Sequence, residues 1–511
     1  MQKAMVIFVA ALLCVSIILP AKVSAAARVR LGNEVFLERH LDLVKGKRVG
    51  LVTNQTGVNG EGKSIIDIFA AHPEINLVAL FGPEHGIDGQ ARAGAYVESY
   101  THPTLKIPVY SLYGATRMPT AKMLENIDVV LFDVQDIGAR TYTYMSTLNY
   151  VMQAAKKYGK TVIVLDRPNP VGGVIVEGPV LEDKFLSFVG VDNLPMAHGM
   201  TAGELALFFN RKIGADLKVI KMEGYFRDMV FQDTGLKWVQ TSPNIPTIES
   251  AFAYMATGLG EGTGIHMRDK FTWIGGRNID QQKFADLLNK AGLPGVVFVP
   301  ERINGVSGVR LKITDYHTFN PALTGIYALA YAKQLTDFPV PKSGKTIVMF
   351  DKIMGTDKMG KWLEQKLSPQ QIVANYRPAL QAFKKEREKY LLYPTRAEAV
   401  FVQVNGVTLE FDVRPVIRNN RVLVPLRAIA EALGCNVEWA AAERKVTVSK
   451  GNRTIVFTIG STQVLVNGQK REIDTVPIIQ NNRTLIPTRY IAEYLGATVN
   501  WHEETRTVFI W

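Results

Sequence analysis

Leu77-Val-Ala-Leu-Phe-Gly-Pro-Glu-His-Gly-Ile-Asp-Gly-Gln90 decides how the first half of the chain is read. Its opening apolar run lacks polar alternation, the pattern of a strand buried on both faces. Gly82-Pro83 stops that strand. A loop follows in which Glu84 and His85 lie between glycines. Glycine lets the backbone turn sharply and lets a ligand approach closely. A carboxylate beside an imidazole just past a strand end is therefore a candidate acid/base site.

Working outward, the same grammar repeats. Strands are expected at 48–53, 76–81, 128–133 and 161–165, with helices between them at 63–71, 119–126 and 144–158. Near-continuous apolar strands alternating with amphipathic helices predict an α/β fold with a parallel sheet covered on both faces. Each strand runs into a polar cluster: Asn54-Gln55-Thr56, Glu84-His85, Asp133-Val-Gln135-Asp136 and Asp166-Arg167-Pro-Asn169. In open parallel sheets ligands bind outside those strand ends, so the four clusters predict one crevice. No G-x-G-x-x-G or G-x-x-x-x-G-K-[ST] occurs at these turns, which leaves a nucleotide cofactor without support.

The whole chain sets further bounds. Its 511 residues exceed one ordinary core and predict roughly two to four domains. The formal charge of +12 comes from scattered residues, with no Lys/Arg run longer than three. That pattern argues against nucleic acid and suits an anionic polymer such as a bacterial cell wall. Lys3, an apolar run from Ala4 to Pro20 and Val23-Ser24-Ala25-Ala26 predict a signal peptide over 1–25 and a secreted or wall-associated protein. An uncleaved membrane anchor is the competing reading. Cleavage removes Lys3 and Lys22 and lowers the charge to +10. Leu13 before Cys14 does not suit a lipoprotein signal. Beyond this segment no stretch is long and apolar enough to span a bilayer. The cleaved chain keeps only Cys435, so it has no internal disulfide and no Cys-rich zinc site.

From 216 to 393 the pattern is mixed. Strand-like pieces lie at 217–221, 296–299 and 308–313, and helices near 280–291, 321–335 and 369–391, which predicts an α+β region. Residues 394–400 read as a linker. From 401 onward the chain repeats itself: Pro415-Val-Ile-Arg-Asn-Asn-Arg-Val-Leu-Val-Pro-Leu-Arg-Ala-Ile-Ala-Glu-Ala-Leu-Gly434 returns 62 residues later as Pro477-Ile-Ile-Gln-Asn-Asn-Arg-Thr-Leu-Ile-Pro-Thr-Arg-Tyr-Ile-Ala-Glu-Tyr-Leu-Gly496. Trp439 maps onto Trp501 at the same offset. The pair, over about 401–511, resembles the stalk-like domain found at the N-terminus of copper amine oxidases. The resemblance implies an α+β spacer or an attachment to a cell-wall polymer, without chemistry and without copper.

Residues 47–204 resemble the NamZ/YbbC-type exo-β-N-acetylmuramidases, and a weaker likeness extends to about 393. Six motifs carry it in order: Gly50-Leu-Val-Thr-Asn-Gln-Thr-Gly57, Leu80-Phe-Gly-Pro-Glu-His-Gly86, Ser111-Leu-Tyr-Gly114, Phe132-Asp-Val-Gln-Asp-Ile-Gly-Ala-Arg-Thr-Tyr-Thr-Tyr144, Leu165-Asp-Arg-Pro-Asn-Pro170 and His198-Gly-Met-Thr-Ala-Gly-Glu-Leu205. The resemblance implies a Rossmann-like catalytic domain over 28–215 and an α+β auxiliary domain over 216–393. It also implies release of terminal N-acetylmuramic acid from peptidoglycan fragments or muropeptides. One segment departs from the family. Gly258-Leu-Gly-Glu-Gly-Thr-Gly-Ile-His-Met-Arg268 keeps Glu261, but Met267 stands where a second acidic residue is expected, which leaves a related amino sugar as substrate, or a loss of activity, open.

Glycosidic cleavage needs an acid for the leaving oxygen and a group to stabilise the oxocarbenium-like centre. Glu84 is the expected acid/base, with His85 assisting; a helix cap or an Arg partner is its structural alternative. Asp133, or the substrate's own acetamido group, is expected at the anomeric centre. Asp136 and Arg140 are either substrate contacts or an ion pair at helical spacing. Tyr142 and Tyr144 stack on a sugar face or belong to the core. Arg167 matches the lactyl carboxylate in bidentate geometry, or pairs with Asp166 in its loop. Asn54, Gln135, Asn169, His198 and Glu261 complete the expected substrate contacts. Thr201 and Glu204 have capping-box spacing, which favours a structural Glu204. No H-E-x-x-H or G-x-S-x-G is present, so neither a metal nor a serine nucleophile is expected. Two other readings stay open: a non-catalytic wall-binding protein, and an esterase or amidase acting on wall substituents.

Overall fold

Val-, Ile- and Leu-rich runs without polar alternation must be covered on both faces, and they build the first sheet. The computed structural model describes residues 28–511 apart from 410, 412, 481 and 504; the expected signal segment lies outside the described residues. The strands are β1 (Arg48–Thr53), β2 (Asn76–Gly82), β3 (Tyr100–Thr101), β4 (Pro108–Ser111), β5 (Val129–Asp133), β6 (Thr161–Leu165) and β7 (Leu217–Ile220). Their order is β3-β4-β2-β1-β5-β6-β7. All neighbours pair in parallel except the short β3, which closes one edge antiparallel to β4. This is the expected Rossmann-like α/β sheet. The helix Tyr144–Tyr158 that follows β5 stops at Gly159, whose φ of 65° is the left-handed cap glycine tolerates. The sheet extends past residue 215. Leu217–Ile220, which the sequence pattern groups with the second region, pairs with β6 because its apolar residues complete the sheet's covered edge.

A second sheet, in the order β10-β11-β9-β8, is antiparallel: β8 (Ile265–Arg268), β9 (Trp273–Gly276), β10 (Val296–Ile303) and β11 (Val306–Ile313). The helices Ile248–Thr257, Gln281–Lys290 and Pro321–Thr336 accompany it. Both sheets belong to one compact unit, 28–225 with 229–392. A continuous core runs through it from Val52 to Phe383. No helix among the described residues is long and apolar enough to cross a membrane.

The second unit comprises 226–228 and 393–511. Its repeat is visible as pairing. The strands Arg421–Pro425 and Arg483–Pro487 lie antiparallel with Leu423 opposite Pro487, Val424 opposite Ile486 and Pro425 opposite Leu485. The 62-residue offset exchanges the two outer pairs and returns the central one to itself, which is the self-complementary contact of a two-fold. Each strand is the second arm of a hairpin and leads into a helix, Leu426–Ala432 or Thr488–Leu495. Asn419 and Asn420 turn the first hairpin with φ of 50° and 57°, the positive values a two-residue hairpin turn requires.

Candidate active site

Glu84 stands just beyond the carboxyl end of β2, half-buried. Thr143 Oγ1 donates to its Oε2 at 2.5 Å and the Gly94 amide to its Oε1 at 2.9 Å. It has no ion-pair partner among the described residues. Neither a helix cap nor an arginine therefore explains it. His85 and Gly86 follow with φ of 71° and 79°. A histidine in the left-handed region is uncommon and marks a backbone bent by its surroundings. The ring of His85 is buried, and its Nδ1 lies 2.6 Å from the Ala91 carbonyl. A carbonyl only accepts, so Nδ1 carries a proton.

An aromatic wall faces this loop. His85 meets Tyr144 edge-on at 6.5 Å, Tyr144 meets Tyr142 at 4.9 Å, Tyr142 meets Tyr254 at 5.9 Å and Tyr254 meets Phe271 at 4.9 Å. Hydroxyls lock the wall: Tyr142 donates to Thr241 Oγ1 at 2.9 Å, Tyr144 to the Thr241 carbonyl, and Tyr254 pairs with Thr141 at 3.1 Å. Burial, and then the charges of Glu84, Glu261 and Asp136, push the Tyr254 phenol up to about 12. It stays a neutral hydrogen-bonding group at any working pH. Beside Tyr254 lies a hollow of about 410 Å³ lined by Thr141, Gly258, Glu261, His266 and Met267 among others. The segment that departs from the family thus forms one side of it. Next to Glu84, burial and then the Glu84 charge raise the Tyr113 phenol. Arg117 lies over the rings of Tyr113 and Phe188, 4.7 and 4.5 Å from their centroids.

Most of the other expected site residues are engaged with neighbouring groups of the protein. The carboxylate of Asp133 is wholly buried and holds Arg167 Nε at 2.5 Å and Asn33 Nδ2 at 2.9 Å. Arg167 also donates to the Val58 carbonyl at 2.6 Å. This cluster fills the point between β1 and β5 where the strand order reverses. Asp133 and Arg167 thus hold one another at this strand end, where Arg167 and Gln135 also line a small hollow with Thr56 and Val58. Asp166 accepts from the amides of Arg167 and Gly203 and from Thr201 Oγ1, which ties the start of helix Ala202–Ile213 to the sheet. Asn169 bridges the Met200 carbonyl and the Val171 amide. Asn54 accepts from the Thr56 amide and hydroxyl. Gln135 donates to the carbonyls of Asp136 and Pro168. Arg140 makes no pair with Asp136; it donates to the carbonyls of Pro179, Leu194 and Ile353. Thr201 and Glu204 form the expected capping box. Most of these polar groups bond nearby backbone, as a buried strand end demands, while Asn54 Nδ2 and Arg140 Nε are buried without a hydrogen-bond partner among the described residues. Sequence reasoning missed Tyr254, Thr143, Tyr113 and Arg117. Tyr113 lies within a quoted motif; Tyr254 is hidden in the alanine-rich run Ala251-Phe-Ala-Tyr-Met-Ala256, which reads as core.

Asp136 and His198 form a buried couple behind the wall, with His198 Nε2 3.8 Å from Asp136 Oδ2. The Met200 amide donates to His198 Nδ1, so Nε2 carries the ring proton. Burial pushes Asp136 up to about 7, and burial and then Arg387 and Arg140 push His198 down to about 3. Both groups are held neutral, with opposite linkage. A raised carboxyl contributes stability at low pH that is lost as pH rises from about 4 towards 7. A depressed imidazole contributes stability that grows as pH rises from about 3 to 6.5. The two nearly cancel in the parent chain. Asp136→Asn should expose the rising limb and His198→Gln the falling one. Urea unfolding at pH 4.5 and 6.5 measures this: the two variants should change stability with pH in opposite directions.

Comparison with known proteins gives the family. Residues 49–249 match the N-terminal domain of exo-β-N-acetylmuramidase NamZ, residues 252–393 its C-terminal domain, and residues 403–510 the copper amine oxidase N-terminal domain. The peptidoglycan β-N-acetylmuramidase NamZ of Bacillus subtilis (strain 168) is 43% identical over 383 residues, covering 72% of this chain and 92% of that one. The crystal structure of a DUF1343 family protein from Bacteroides fragilis NCTC 9343 has a TM-score of 0.65 at 36% identity and covers 72% of this chain and 99% of its own. A second DUF1343 protein from that organism gives 0.55 at 27% identity, over 72% of this chain and all of its own. The α/β sheet joined to a smaller antiparallel sheet is thus a shared scaffold. The chain belongs to the NamZ family of exo-β-N-acetylmuramidases.

Proposed function

We propose that this chain is an exported exo-β-N-acetylmuramidase that removes terminal N-acetylmuramic acid from peptidoglycan fragments, with Glu84 as general acid/base. The observation that carries the reading is Glu84 itself: a half-buried, unpaired carboxylate, oriented by Thr143 and Gly94 beside a tyrosine wall. In the first step the bond between the anomeric carbon and the glycosidic oxygen breaks, and the leaving oxygen takes the Glu84 proton. The acetamido oxygen of the muramic acid covers the anomeric carbon, since Asp133 is engaged with Arg167. Water then attacks that carbon and Glu84 takes its proton back. Digestion of muropeptides followed by mass spectrometry tests the reading. Loss of one N-acetylmuramic acid from the non-reducing end supports it; loss of an acyl group, or no change, overturns it.

Besides Arg167, Arg117 is a second candidate for the lactyl carboxylate. That guanidinium is exposed, has no ion-pair partner among the described residues and lies over Tyr113 beside Glu84. Arg117→Ala should raise KM about tenfold with kcat little changed, the pattern of a lost ground-state contact. Initial rates over a range of muramic acid glycoside concentrations separate the two constants. The second unit is read as the part that holds the exported enzyme to the wall, supported by its duplicated stalk-like fold and the net basic charge of the chain.

A further inference from the structure

The duplicated unit contains a groove that the hydrolytic chemistry does not use. About 610 Å³ in volume, it opens between helix Leu426–Ala432 and the hairpin strand Arg483–Pro487. Trp439 walls it and is 44% exposed, a large aromatic surface for a soluble unit to leave uncovered. Arg427 stands exposed on the helix lining and has no ion-pair partner among the described residues. Glu431, one helical turn further on, adds a carboxylate to the same lining.

The repeat supplies an internal comparison. The 62-residue offset carries Arg427 to Arg489, Ala428 to Tyr490, Glu431 to Glu493 and Trp439 to Trp501. In the second copy these side chains are satisfied within the chain. Arg489 pairs with Glu493 at 3.7 Å, the Trp501 indole donates to Glu503, and the Tyr490 hydroxyl accepts from the Asp474 amide at 3.2 Å. In the first copy alanine replaces that tyrosine, and neither the guanidinium nor the indole N–H has such a partner among the described residues. The counterparts of side chains that line the groove of the first copy are thus paired in the second.

An exposed indole face beside a guanidinium and a carboxylate matches a saccharide that carries an anionic group. The apolar face of a pyranose covers the indole, a carboxylate takes the guanidinium, and ring hydroxyls donate to the glutamate. We infer that this groove binds a carboxylate-bearing glycan strand of peptidoglycan, so that the first repeat is the wall-binding copy and the second its scaffold. The inference rests on the reading of the second unit as the wall-holding part.

Ala428→Tyr tests it, because the second copy already accommodates tyrosine at the matching position. The full chain lacking 1–25 is sedimented with purified peptidoglycan, one sample stripped of wall phosphate polymers and one not. Hydrolysis of a soluble muramic acid glycoside is followed in parallel. The parent chain should bind both samples. Trp439→Ala should weaken binding about tenfold, as expected for one lost stacked ring, and Ala428→Tyr by about as much because its ring occupies the groove, both with soluble turnover unchanged. Retained binding by Ala428→Tyr overturns the groove assignment. Binding only to unstripped walls overturns peptidoglycan as the occupant. Binding of the parent chain to neither sample overturns the wall-holding reading itself, and leaves the hydrolytic reading to the soluble assay.

Discussion

Glu84→Gln should lower turnover of muropeptides by about 10²–10⁴-fold, the range that one positioned proton donor contributes. Glutamine keeps the size of the side chain and an oxygen that accepts from Gly94 or Thr143, so folding should survive. What it lacks is a proton that can be given to the leaving oxygen and recovered from water. Binding should change little, because the interaction removed is made in the transition state. Steady-state rates with a thermal melt of the same sample check both halves. Unchanged turnover would remove Glu84 from the chemistry.

Asp133→Ala should produce the largest loss of stability in the first unit, about 3–5 kcal/mol, because it strands a buried guanidinium. Arg167 is only 4% exposed and has Asp133 as its ion-pair partner. Asn33, from the helix Gly32–Arg39, loses its acceptor at the same time. The midpoint of urea unfolding should fall accordingly, while the fraction that remains folded keeps its turnover. A variant that unfolds like the parent chain but loses turnover by orders of magnitude would return Asp133 to the anomeric centre.

These two carboxylates mark how far sequence carries the argument. The strands were legible because uninterrupted Val, Ile and Leu runs have few other ways to be covered. Glu84 was legible because glycines and a proline isolate it from any helix that could claim it. Asp133, Asp166 and Asn169 read the same whether they meet a ligand or a neighbouring loop. Their partners come from far along the chain, as Asn33 does for Asp133, and no local pattern announces them. Tyr254 was illegible for the opposite reason: its helix is so apolar that its hydroxyl carried no signal. The repeat was plain in sequence, yet the exchange of Ala428 for Tyr490 gains meaning only once both copies are seen to fold alike.

The central claim is that Glu84 delivers a proton to the departing oxygen, and leaving-group dependence tests it most directly. Aryl glycosides of N-acetylmuramic acid with strongly and weakly acidic phenols would be compared between the parent chain and Glu84→Gln. A strongly acidic phenol leaves without help, so the variant should approach the parent rate on it and fall about 10²–10⁴-fold behind on a weakly acidic one. An equal deficit across the whole series would contradict the assignment.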